Sequence, residues 1–173
     1  MVNNWFSEIG RFILFALLFV VLLVAYGFVL QSFGIIPIGG KKAPTFAFLL
    51  FFQWWYVSKF PQNHEGEKKH FLVYFALQYI LIVITALFSA FFVYYFFQSQ
   101  AGLQMLDAYI QQSLVELNSF KEVIVSQEGG EYYNSLHAGI KSIDAYSIAK
   151  DDFSQKIALG FIPNLLISLY YKK

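Results

Sequence analysis

Side chains able to do chemistry are few in this sequence, and most lie at the edges of apolar stretches. The densest group is His64-Glu65-Gly66-Glu67-Lys68-Lys69-His70. Imidazole and carboxylate are zinc ligands, so His64, Glu65 and His70 could be drawn around one ion. The zinc-protease arrangement, however, sets two histidines four apart on one helical face. Here Gly66 interrupts the group and the second histidine comes too late. The expected state is a solvated, charged loop. Gly39-Gly40-Lys41-Lys42 looks like the tail of a phosphate-binding loop. It lacks the earlier glycine and the hydroxyl residue that would meet the metal ion. A G-x-S-x-G elbow is absent, and so is cysteine. Serine-hydrolase, disulfide, thiolate-metal and cysteine-acylation chemistry are therefore excluded. Asp151 and Asp152 are adjacent and expected to be solvated; either could cap a helix that follows. His137 lies between apolar stripes and reads as a surface or packing residue. No catalytic residue, cofactor or metal follows from these groups, and the chain reads as a non-enzyme.

Three polar residues remain inside apolar sequence: Gln53, Gln78 and Asn164. Amides at such positions are expected to bond across helices, or else to contact a ligand such as a lipid headgroup. The first three apolar segments carry no Asp, Glu, Lys, Arg or His between their ends. Groups of that kind mark proton relays and ion-coupled sites in membranes. Their lack argues against a proton-coupled transporter or pump.

The elements that must carry these residues are read from composition and spacing. The chain has 173 residues, enough for a single domain spanning 1–173. Hydrophobic residues make up 58%, aromatic residues 21% and charged residues only 13%. That balance excludes disorder, nucleic-acid binding and an ordinary soluble domain. The net charge of +1 selects neither acidic nor basic partners. The expected class is an all-α integral membrane protein of four transmembrane helices, its partner the lipid bilayer. An amphipathic extramembrane helical hairpin lies between the third and fourth.

The spans are expected at about 12–36, 43–60, 71–97 and 157–171. The first would reach about 38 Å as a helix, more than the roughly 30 Å hydrocarbon core. A cleaved signal peptide is the competing reading; the length of the apolar run and the lack of a small-residue cleavage site favour a retained anchor. Pro37, Gly39 and Gly40 end it. Pro44 suits the first turn of the second span, and Trp54, Trp55 and Tyr56 read as an interfacial aromatic belt. In the third, Thr85, Ala86, Ser89 and Ala90 form a small-residue strip for close helix approach. The fourth is short, reaching about 22 Å. Pro163 and Asn164 at its centre suggest a kink, or a re-entrant or interfacial helix, and resemble the broken helices of transporters.

Short loops set orientation by their Lys and Arg content. Arg11, Lys59, Lys68, Lys69, Lys172 and Lys173 would share one side, against Lys41 and Lys42 on the other. Both termini are therefore expected in the cytoplasm of a bacterium, at its inner membrane.

Region 98–156 is expected outside the cytoplasm, with an acidic balance. Leu103, Leu106, Ile110, Leu114, Leu117 and Ile124 recur at helical spacing, as do Tyr133, Leu136, Ile140 and Ile143. Two amphipathic helices joined at Gly129-Gly130 are expected, the first able to continue the third span outward. Their apolar faces would pack on each other, or dock a protein partner or a second copy through 103–150.

The run Lys69-His70-Phe71-Leu72-Val73-Tyr74-Phe75, the aromatic end Tyr94-Tyr95-Phe96-Phe97 and the tail from Gly160-Phe161-Ile162 to Leu169-Tyr170-Tyr171-Lys172-Lys173 carry a likeness to a known family. Together with the order of spans, they resemble the membrane family called domain of unknown function 4199, found mainly in Bacteroidota. Mid-tail Pro163-Asn164 departs from that pattern. The resemblance implies a bacterial multi-pass protein and no catalytic residue. The function expected is a non-enzymatic accessory or structural membrane subunit. A small transport component or channel is the alternative, and a membrane-embedded lipid-modifying enzyme the third.

Overall fold

The structure, a computed structural model, describes residues 2–59 and 71–171. The loop with His64, Glu65 and His70 lies outside the described residues, as do Lys172 and Lys173. Among the described residues every regular element is helical, in agreement with the all-α expectation. The order is α1 (Val2–Ser32), a 3-10 turn (Gly39–Lys42), α2 (Ala43–Lys59), α3 (Phe71–Gln98), α4 (Gln100–Ser119), α5 (Lys121–Glu128), α6 (Gly130–Lys141) and α7 (Ala145–Tyr171). The chain divides into two compact units. One comprises Met1–Phe92 and Lys150–Lys173, the other Val93–Ala149.

Among the described residues two helices, Ile9–Ser32 and Phe71–Gln98, are long and apolar enough to cross a membrane, not four. The difference has a residue-level cause. α2 is only 17 residues long. α7 has 27 residues, but Lys150, Asp151, Asp152, Gln155, Lys156 and Asn164 dilute its apolar character.

The first unit is built on spacing. On α1, Phe12, Phe15, Ala16 and Phe19 fall at steps of three and four and turn inward, while Leu14, Leu17, Leu18 and Val21 point out. On α3, Tyr74, Leu77, Gln78, Leu81, Ile82, Thr85, Ala86 and Ser89 repeat the pattern. α1 packs on α2, and Phe12, Phe15 and Phe19 meet Leu49, Phe52, Tyr56, Val57, Tyr74, Leu77 and Leu81 in one apolar cluster. Aromatic pairs knit it: Phe12 and Tyr56 are 5.0 Å apart by ring centroid, and Phe15 and Trp55 5.2 Å. Tyr56 is thus a core residue and not part of a surface belt; Trp54 and Trp55 do face outward. Of the small-residue strip, Thr85, Ala86 and Ser89 are buried and Ala90 is half-buried.

The fourth apolar segment is only the second half of α7, which begins at Ala145. Asp144 caps it: its Oδ1 accepts from the Ser147 N–H at 2.7 Å, and Ser147 Oγ accepts from the Asp144 N–H at 2.9 Å. This reciprocal pair satisfies two backbone donors that the helix itself leaves free. The cap expected at Asp151 or Asp152 is therefore seven residues or more too late. The helix runs through Pro163 without a break. In the turn that the proline weakens, the Gln53 amide Nε2 donates to the Gly160 carbonyl at 3.3 Å. Neighbouring donors of this kind let a helix tolerate an internal proline.

The second unit has three helices where two were expected between residues 98 and 143. Phe120, at φ −100 and ψ 5, separates α4 from α5. Its own side chain is exposed and fixes nothing that would hold the helix straight. α4 does not continue α3, because Ser99 is extended and caps it, its Oγ accepting from the Gly102 N–H at 3.2 Å. Gly102 is required there: a Cβ would stand 2.0 Å from the Phe96 carbonyl oxygen. Gly129, at φ +90, turns the chain from α5 into α6 in a conformation that only glycine adopts readily. α6 packs on α4 and α5. Leu106, Leu114, Leu117 and Tyr133 are buried, Ile110, Ile124, Leu136, Ile140 and Ile143 are half-buried, and Leu103 falls outside the stripe. The Tyr133 hydroxyl donates to Asn118 Oδ1, and the Lys121 ammonium sits 5.4 Å over the Tyr133 ring. His137 is half-buried with its ring beside that of Tyr133.

Candidate functional site

The interior of the first unit is polar along one line of α7. Asp152, Lys156, Gly160, Asn164 and Ser168 stand four residues apart, and all five are buried. Residues at that spacing form a continuous ridge on a helix. The opposite surface of the same helix carries Leu159, Phe161, Ile162, Leu166, Leu169 and Tyr170, all exposed. The helix is amphipathic with its polar side inward.

The lower part of the ridge joins the three amides expected from sequence. Gln78 Nε2 donates to Ser168 Oγ at 2.7 Å, and Ser168 Oγ donates to Asn164 Oδ1 at 3.1 Å. Asn164 Nδ2 donates to the Phe75 carbonyl at 3.1 Å. Gln53 reaches the same helix at Gly160. Gly160 has no side chain because Ile82 fills the space: a Cβ would lie 3.1 Å from its Cδ1. Gln53, Gln78 and Asn164 are thus fully buried and each bonds to another helix. Gln53 and Gln78 each keep one buried carbonyl oxygen, Oε1, without a hydrogen-bond donor among the described residues.

The upper part of the ridge was not foreseen. Asp152 is 2% exposed, not solvated, and sits among basic groups. Lys156 Nζ donates to its Oδ1 at 2.6 Å, and Ser89 Oγ donates to its Oδ2 at 2.8 Å. Lys42 Nζ lies 3.8 Å from the same Oδ1, an ion pair too long for a hydrogen bond. Lys156 also stands 5.4 Å from the centre of the Phe19 ring and 5.9 Å from that of Phe46, so aromatic faces line the other side of its ammonium. Asp151, by contrast, is exposed and accepts from Gln155 Nε2 at 2.7 Å.

Four side chains from two helices and one turn therefore meet: Lys42 from the 3-10 turn, Ser89 from α3, and Asp152 and Lys156 from α7. Sequence reasoning missed them because it began the last segment at 157, just below the charges. The four-residue ladder Asp152-Lys156-Gly160-Asn164-Ser168 was the available signal. A group that holds two ammoniums against one carboxylate, away from water, can bind an anion or exchange an ion pair. Among the described residues, no group of three or more histidine and acidic side chains gathers as a metal site would require.

Among the described residues the fold is all-helical, with two helices long and apolar enough to cross a membrane and a buried polar ridge. No protein-family model matches the chain, and neither a curated protein nor a solved structure does.

Proposed function

We propose that the protein is a multi-pass membrane protein that serves as a non-enzymatic accessory or structural subunit. The observation that carries this reading is the inverted arrangement of the first unit. Its helices send Leu, Ile, Val and Phe outward and bury Gln53, Gln78, Thr85, Ser89, Asp152, Lys156, Asn164 and Ser168. In water that arrangement would cost hydrophobic burial and desolvation together. In lipid it is the favourable one, because the apolar surface meets acyl chains and most of the buried polar groups bond to one another. Phe12, Phe15 and Phe19 in the core support α1 as a retained helix and not a removable leader. Four crossings, with both termini in the cytoplasm at a bacterial inner membrane, would require the 17-residue α2 and the apolar second half of α7 to cross as short helices. The resemblance to domain of unknown function 4199 points the same way and supplies no activity.

The subunit reading is tested by extraction in mild detergent followed by affinity purification of the full chain. A partner recovered in fixed stoichiometry, or a defined homo-oligomer, is the expected result. A monodisperse monomer without partner overturns it.

A small transport component is the second reading, and the Lys42–Asp152–Lys156 group favours it. Ionisable groups inside a helical unit are costly and mark ion or substrate paths. Flux of a charged solute into liposomes that hold only this protein, lost in Asp152→Asn, would decide for transport.

A further inference from the structure

We propose that Lys42 and Lys156 hold a phosphate-group oxyanion at the turn that joins α1 to α2. The first ground is charge. Two ammoniums face one carboxylate, and both oxygens of Asp152 are already engaged, by Lys156 and by Ser89. Asp151, the adjacent acid, attracts Lys156 as well, but it is exposed and bonded to Gln155, so water screens it. Among the described residues buried at the group, one positive charge is left over. The second ground is an unmet donor. Lys42 is buried, only 10% of its side chain is exposed, and its Nζ has no hydrogen-bond acceptor among the described residues.

An ammonium carries three donors, and burying it with none satisfied is strongly unfavourable. Its one ion pair, at 3.8 Å, is shared with a carboxylate that Lys156 holds more closely. The exposed Lys41 beside Lys42 adds to the positive field at the surface.

A phosphate group suits this arrangement better than a simple halide. It offers several acceptor oxygens, so one anion reaches both Lys42 and the lysine side of the Asp152 pair. A phosphodiester carries a single negative charge, equal to the excess. Such a group could belong to a lipid headgroup or to a free phosphate. The lipid source rests on the membrane reading, and the free-anion source does not.

The experiment uses the full chain purified in an uncharged detergent, with thermal unfolding as the readout. In one arm sodium phosphate is titrated against sodium chloride at constant ionic strength. In the other, phosphatidylglycerol is added to the micelles and compared with diacylglycerol of the same chains. A saturable rise in Tm with phosphate, with phosphatidylglycerol or with both is expected. Chloride and diacylglycerol should give none. K42Q should weaken the apparent affinity about tenfold or more, the scale of a lost charge-assisted hydrogen bond. K42R and K41Q should bind nearly as well as the parent. If K42Q does not fold, Ala43→Glu, at an exposed neighbouring position, should weaken binding in its place. No response to either probe, an equal response to chloride, or an unchanged response in both K42Q and Ala43→Glu would overturn the proposal. A response to phosphate alone would remove the lipid source and leave the site standing.

Discussion

The two compact units both bury an apolar cluster, but they differ in what else they bury and in what they expose. In Val93–Ala149 the interior includes Leu106, Leu114, Leu117 and Tyr133, Ser99 and Asp144 cap the starts of α4 and α7, and charges face out. In Met1–Phe92 with Lys150–Lys173 the interior contains amides, hydroxyls and three charged groups, while the outer surface is Leu, Ile, Val and Phe. Each unit is consistent with a different solvent: the second with water, the first with hydrocarbon. Two helices, α3 and α7, pass from one regime to the other. On α7 the change falls between Ile148 and Asp152, where the buried ridge turns from apolar to polar.

The largest expected effect that would break this contrast is at Asp152. Asp152→Ala leaves Lys42 and Lys156 buried together with no counter-charge. Breaking a buried pair in this way costs about 3–5 kcal/mol. Thermal unfolding in detergent should show it, while exposed Asp151→Ala should stay within about 0.5 kcal/mol of the parent. Equal effects at the two positions would mean that the ridge is not sealed from water.

Next in size is a comparison of one substitution in both units. Leu166 is exposed near the middle of 157–171, and Val115 is exposed on α4. Leu166→Lys places a charge where lipid is expected and should disfavour insertion by about 2.5–3.5 kcal/mol. Val115→Lys, facing water, should be within about 0.5 kcal/mol of neutral. Membrane insertion of tagged variants, followed by alkaline extraction, reads the first; unfolding reads the second. A silent Leu166→Lys would remove the inverted reading of the first unit.

A smaller effect is expected within the ridge. Asn164→Leu removes the bonds to Phe75 and Ser168. Interhelical hydrogen bonds in membrane proteins average about 0.6 kcal/mol and reach about 1.7. The variant should therefore remain folded and lose roughly that amount in a denaturant titration.

The smallest effect is a pH dependence at the start of α7. The backbone N–H and hydroxyl of Ser147 hold the Asp144 carboxyl below its ordinary range. A carboxyl depressed in the folded state stabilises above its unfolded pKa, and that contribution fades as pH falls through the lower folded value. Protection of amides 145–148 against hydrogen exchange should thus weaken only below about pH 4, the ordinary Asp value. Asp144→Asn should keep the cap and lose this dependence. A loss near neutral pH would assign the effect to another group.

Much of this was legible in the sequence, and the legible part is local. The long apolar runs of α1 and α3 are legible because hydropathy acts within a few turns, but which side of α1 turns inward is not, since exposed Leu14, Leu17 and Leu18 are as apolar as buried Phe12, Phe15 and Phe19. Gln53, Gln78 and Asn164 stood out for the same reason: each is a lone amide among apolar neighbours. The break at Phe120 and the start of α7 at Ala145 were not legible, since no proline marks the first and charge hid the second.

What the chain determined by itself is helical class, the two longest apolar helices, and which amides would be buried. Only tertiary structure decided that Lys42, Ser89, Asp152 and Lys156 share one site, since a hydrogen bond such as Ser89 to Asp152 closes across 63 positions of sequence. The reason is that burial of a charge is not a property of its own neighbourhood. Asp151 and Asp152 are the same residue type side by side, and the 100° turn between them sends one to the surface and the other into the helix bundle.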